Sequence, residues 1–149
     1  MIVITSNMIQ LKLNQYHFIK GENMSFWFML FSMIFCHIIA DFHVQNDFMA
    51  KYKQSKNWKE YGPKYMFDYI PMLIVHSFSW SFVTFLPLLY AVYKNIIDIN
   101  TWCAIVMFNT TIHMIIDDLK CNKLKINLIV DQSLHLAQIL GMTLLVYYS

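Results

Sequence analysis

Four stretches of this chain, Met24 to Phe42, Tyr65 to Leu86, Ile99 to Leu119 and Leu124 to Tyr148, are apolar over close to the length a helix needs to cross a bilayer. A hydrocarbon core about 30 Å thick takes about 20 helical residues at a rise of about 1.5 Å each. In that medium every backbone N–H and C=O must be paired within the protein, so stretches of this length are predicted to be transmembrane helices. Composition agrees: 58% of residues are hydrophobic and only 13% are charged, where a soluble domain carries about 25%. With three glycines and three prolines in 149 residues there is no linker to divide the chain. The expected fold is all-α: an integral-membrane, antiparallel four-helix bundle over residues 24–149, preceded by an extracytoplasmic or interfacial segment, residues 1–23. The second span can continue past Pro87 through "LLYAVY" as a kinked or interfacial extension, because proline removes a backbone donor.

The charges orient this bundle. All 11 basic residues are lysines; without arginine there is no guanidinium fork for phosphate, and nucleic acid is not an expected partner. Lys51, Lys53, Lys56, Lys59 and Lys64 follow the first span, and Lys120, Lys123 and Lys125 follow the third. The other side has only Lys12, Lys20 and Lys94. The positive-inside rule therefore predicts an inner-membrane protein with four spans and both termini outside. The connection from Asn46 to Gly62 mixes Phe48, Met49, Tyr52 and Trp58 with charged and amide residues, which suits a segment lying along the cytoplasmic interface. Residues 1 to 23 alternate in part like a strand around His17 and lack a signal-peptide pattern. Met24 directly precedes the first span, which is compatible with a shorter functional chain. Cys36, Cys103 and Cys121 are scattered without metal or disulfide spacing.

Each predicted span contains one histidine: His37, His76, His113 and His135. Three of them have an aspartate four residues away, in "HIIAD" (Asp41), "HMIID" (Asp117) and "DQSLH" (Asp131). Residues four apart share a helix face. The pairs fall late in spans one and three, while His76 and the Asp131/His135 pair fall early in spans two and four. Antiparallel packing would bring all of them to one level in the cytoplasmic half. An aspartate in mid-span costs about 2.5–3.5 kcal/mol on insertion scales, so three of them call for compensation. A divalent cation (zinc, manganese or iron; one ion or two) bound by imidazole and carboxylate would supply it. The candidate ligands are His37, Asp41, His76, His113, Asp117, Asp131 and His135. Asn109 and Gln132 are expected behind them, with Gln138 near Asp131 and His135. Lys120, one turn after Asp117, could meet an anionic substrate or set topology. The bland alternative is hydrogen bonding between helices. His43 and Asp118 are expected to face solvent, and Ser77, Ser79, Ser81 and Thr84 to serve helix packing.

Taken together, "HIIADFHVQNDFMAKYK", a lone histidine in span two, "HMIIDDLK" and "VDQSLHL" resemble the bacterial and phage integral-membrane family of domain of unknown function 3307. The resemblance runs from residue 37 to residue 135. It implies that Gln45 and Gln132 are motif positions alongside His37, Asp41, His76, His113, Asp117, Lys120, Asp131 and His135; His43 departs from its pattern. More loosely, the Asp/His spacing is similar to that of membrane-bound metal-dependent hydrolases.

Two functions follow as expectations. In the first, a metal-dependent hydrolase acts on a phosphorylated or lipid-like substrate, such as a lipid-linked phosphate, with Asp41, Asp117 or Asp131 as general base and Lys120 stabilising negative charge. In the second, a non-catalytic protein (a cation or proton carrier, or a modulator of membrane or partner) uses the polar cluster structurally. Bis-histidine haem ligation would explain the imidazoles but not the aspartates.

Overall fold

The computed structural model describes residues 25–149; the expectations for residues 1–23, including His17, Lys12 and Lys20, and for Met24 lie outside them. The secondary structure of the described residues is all helical, with no strand among them. Helix α1 (Phe26–Ile39) passes directly into a π-helical turn, Ala40–Val44. The short α2 (Asp47–Tyr52) starts on Asn46, whose side chain accepts the Met49 N–H at 2.8 Å. Three 3-10 turns follow, Ser55–Asn57, Lys59–Tyr61 and Pro63–Tyr65. Then come α3 (Tyr69–Thr84), a 3-10 turn at Leu86–Leu88, α4 (Leu89–Tyr93), α5 (Ile99–Cys121) and α6 (Leu128–Tyr147).

Three units are long and apolar enough to cross a membrane: Phe26–Val44, Ile99–Cys121 and Leu128–Tyr147. A fourth qualifies as a broken pair, Pro63–Thr84 with Leu86–Tyr93, bent by 45°. The break falls where the sequence has Pro87. Trp102 of α5 pins it by donating its indole N–H to Phe85 O at 2.9 Å.

Helix starts follow side-chain capping. Asp98 accepts the Thr101 N–H at 2.9 Å and fixes the start of α5 at Ile99, as the apolar pattern predicts. The last helix, α6, begins at Leu128 rather than Leu124, because Leu124 takes a left-handed φ of 52° that a helix cannot continue and Asn127 caps the Val130 N–H.

Burial is arranged for a surrounding of lipid. Large side chains such as Trp27, Phe28, Phe31, Phe35, Met107 and Phe108 are exposed along the outside, an apolar exterior a soluble monomer would not present. Inside, Met33, Trp80, Phe85, Leu88, Ile139 and Val146 form the apolar part of the core. The rest of the interior is polar, and includes His37, His76, His113, His135, Asp117 and Asp131. Helix α3 makes its most extensive contact with α5. Ser77, Ser81 and Thr84 are fully buried on α3, in keeping with the close helix approach small side chains allow.

Candidate functional site

The four span histidines meet. His113 of α5 stacks on Trp80 of α3 at 4.1 Å between ring centroids and on His135 of α6 at 4.2 Å. His76 of α3 lies with its Nε2 at 3.3 Å from His113 Nε2, and the His37 ring of α1 is 5.9 Å from that of His135. Two of the spaced pairs stay in contact as i,i+4 neighbours: His113 Nε2 is 3.8 Å from Asp117 Oδ2, and His135 Nε2 is 3.4 Å from Asp131 Oδ1. For His37 and Asp41 the link is made by Gln132 instead. Asp41 sits in the π-helical turn, where the winding widens beyond the 3.6-residue repeat that puts residues four apart on one face.

Hydrogen bonds fix the His37 tautomer. The Trp80 indole can only donate, and it gives its N–H to His37 Nδ1 at 2.9 Å. The neutral ring therefore carries its proton on Nε2, which donates to Gln132 Oε1 at 3.1 Å. The amide nitrogen of Gln132 is then free to donate to Asp41 Oδ2 at 2.8 Å and Asp131 Oδ2 at 3.0 Å. Both nitrogens of His37 are occupied in this way. A second chain of amides supports His135: its Nδ1 lies 3.2 Å from Gln138 Oε1, and Gln138 Nε2 donates to Asn109 Oδ1 at 3.1 Å.

Two lysines enter the layer. Lys120 Nζ is 2.5 Å from Asp131 Oδ2, with its side chain 28% exposed. Lys53, which sequence reasoning placed among the topology-setting lysines of the loop, is only 5% exposed. It ends α2 and reaches in to Asp117 Oδ2 at 2.6 Å, with Gln45 Oε1 at 3.2 Å. Trp80 is the other residue the sequence reading passed over. It stands one turn after His76, so the same four-residue spacing that picked out the aspartates could have found it. His43 is exposed and Asp118 pairs with Lys123 at 2.9 Å, away from the layer.

Two overlapping groups could hold a metal ion: Asp41 with His76 and His113, and His113 with Asp117 and His135. The atoms nearest one another are His76 Nε2, His113 Nε2 and Asp117 Oδ2, separated by 3.3, 3.1 and 3.8 Å. A tetrahedral ion with bonds of about 2.0–2.2 Å needs its donors about 3.3–3.6 Å apart. His113 Nδ1, His135 Nε2 and Asp131 Oδ1 are buried without a hydrogen-bond partner among the described residues. Orphaned buried donors and acceptors are costly, and His135, one of these three residues, also belongs to a group that could hold the ion. The donor set fits a borderline cation such as zinc, with manganese and iron also suited to imidazole and carboxylate.

Apolar helices enclosing a buried layer of imidazoles and carboxylates define a helical membrane protein with a polar interior site. The chain belongs to the family described as "Protein of unknown function (DUF3307)", whose model matches residues 29–149 and so takes in every residue of that layer. No curated protein and no solved structure matches it.

Proposed function

We propose that this chain is an inner-membrane protein whose three apolar helices and bent pair form an antiparallel, up-and-down four-helix bundle with both ends of the chain outside, and that its His/Asp layer is a divalent-metal centre hydrolysing a phosphorylated or lipid-like substrate. The observation that carries the metal reading is the convergence of His76 Nε2, His113 Nε2 and Asp117 Oδ2 at 3.1–3.8 Å, with the His135 ring stacked on that of His113. The lysine-rich segments 51–64 and 120–125 support the orientation, with the aromatic segment 46–62 lying at the inner headgroup level.

In this reading His76, His113 and Asp117 hold the ion, His135 stands beside them, and Asp131 and Asp41 border a second position that shares the layer. A bound divalent ion supplies a water whose pKa is lowered toward about 7 and polarises a phosphoryl or acyl oxygen. The chain's own groups do the rest. Asp41 is half-buried and oriented by the Gln132 amide, so it takes the proton from the attacking water. Lys120, half-buried and paired with Asp131, meets the negative charge that develops on the leaving group. Lipid-borne phosphate esters enter from the inner leaflet.

A second reading, a non-catalytic protein, is favoured by the pairing of Lys53 with Asp117 and Lys120 with Asp131, which offsets carboxylate charge without any metal. Phosphate release from lipid and nucleotide esters separates the two. Turnover with added zinc or manganese that vanishes in His113→Ala supports the hydrolase; folded protein with no turnover on any ester, with or without bound metal, supports the second.

A further inference from the structure

Among the described residues Lys53 is the one lysine of the layer that comes from a connecting segment rather than a span, and its placement is built at two points. Its ammonium is 2.6 Å from Asp117 Oδ2. Its backbone is held by Asn122, just past the end of α5: Asn122 Nδ2 donates to Lys53 O at 3.3 Å, and the Ser55 N–H donates to Asn122 Oδ1 at 2.7 Å. Asn122 is itself steadied by donating to Asp118 Oδ1 at 3.0 Å. Segment 46–62 is thereby strapped to the end of α5 with one positive charge inserted.

That charge stands at the oxygen a metal would use. Asp117 Oδ2 also lies 3.1 Å from His76 Nε2 and 3.8 Å from His113 Nε2. An ion bound by these three atoms, about 2.0–2.2 Å from Oδ2, would lie less than about 5 Å from the ammonium in a poorly screened interior, where like charges repel strongly. The two cations therefore compete for one carboxylate. We propose that Lys53 is the resident counter-cation of Asp117 and that a divalent ion displaces it, so that metal occupancy and closure of the 46–62 strap exclude one another. This rests on the metal reading above. It makes an unusual demand: removing a buried, ion-paired lysine must strengthen metal binding, whereas losing a ligand weakens it and losing a remote structural residue leaves it unchanged.

The test uses the full chain in detergent, titrated with zinc by calorimetry, with trypsin cleavage at Lys56 and Lys59 measured against cleavage at Lys125 in the same digest. Zinc should accelerate cleavage in the strap of the wild type. Lys53→Met should bind zinc tighter by about tenfold or more, about 1.4 kcal/mol, and be cleaved fast with or without zinc. Asn122→Ala, which keeps every charge of the layer, should shift both readouts the same way by a smaller factor, and it decides the matter if Lys53→Met does not fold. Wild-type affinity in the folded variants, or strap cleavage of the wild type that zinc does not alter, overturns the displacement while leaving the metal centre standing. Folded protein that binds no zinc in any version overturns both.

Discussion

Asp117 Oδ2 is approached by three nitrogens, Lys53 Nζ at 2.6 Å, His76 Nε2 at 3.1 Å and His113 Nε2 at 3.8 Å. A buried charge left without its partner costs about 3–5 kcal/mol, while replacing both partners by apolar groups is often close to neutral. Lys53→Met in metal-free protein should therefore lower the unfolding free energy by about that amount, and Lys53→Met/Asp117→Leu should recover much of it. Reversible unfolding in mixed detergent, with Asp117→Leu alone completing the cycle, measures this; a loss in the double variant equal to the sum of the two single losses would show that the pair is not coupled. Gln132 bridges His37, Asp41 and Asp131, and hydrogen bonds to charged groups are worth about 1.5–3 kcal/mol each. Gln132→Leu should cost about 3 kcal/mol or more by the same assay, and wild-type stability would contradict the network. The histidines and aspartates of the layer were legible in the sequence because four-residue spacing survives any packing of the helices. Lys53 was not. Its position depends on Asn122, 69 residues further on, and in a lysine-rich loop one more lysine resembles a topology signal.

At the scale of elements, the apolar runs gave the existence of the helices, while polar residues at their ends set the boundaries. α5 begins at Ile99 as the pattern predicts, because Asp98 caps it. α3 begins later than its apolar run, at Tyr69, because Pro63–Tyr65 forms a 3-10 turn first. The π-helical turn at Ala40–Val44 has no signature in hydropathy; His37 and Asp41 still meet one neighbour, Gln132, which bridges them through its amide. The Asp98 cap carries its own pH dependence. The Thr101 N–H and hydroxyl, bonded to its carboxylate, hold its pKa below the ordinary aspartate range. A depressed pKa means the contribution to stability is present above the ordinary range and is lost as pH falls through the folded-state value. Hydrogen exchange at the first turn of α5 should thus quicken in acid relative to the helix centre after correction for intrinsic rates. Asp98→Asn, which still accepts the bond, should remove that acid sensitivity. An acid-sensitive first turn in Asp98→Asn would assign the effect elsewhere.

Among the described residues many large aromatic and aliphatic side chains stand outside, while His37, His76, His113, His135, Asp117, Asp131 and Lys53 are buried within. The helical, apolar character of the chain was plain from its composition. The pairing of spans into an up-and-down bundle remains the proposal that lysine placement makes, and labelling decides it. In intact cells of a cysteine-free background, Asn95→Cys should react with an impermeant maleimide and Ser55→Cys should not; the opposite pattern would invert the orientation. The central claim, that imidazoles and carboxylates from separate helices share a divalent ion, is tested most directly by elemental analysis of folded, detergent-purified protein. The wild type and His43→Ala should carry one or two zinc, manganese or iron ions per chain, and His113→Ala and Asp117→Asn should lose them. Folded wild type that carries no such ion under any loading condition would contradict it.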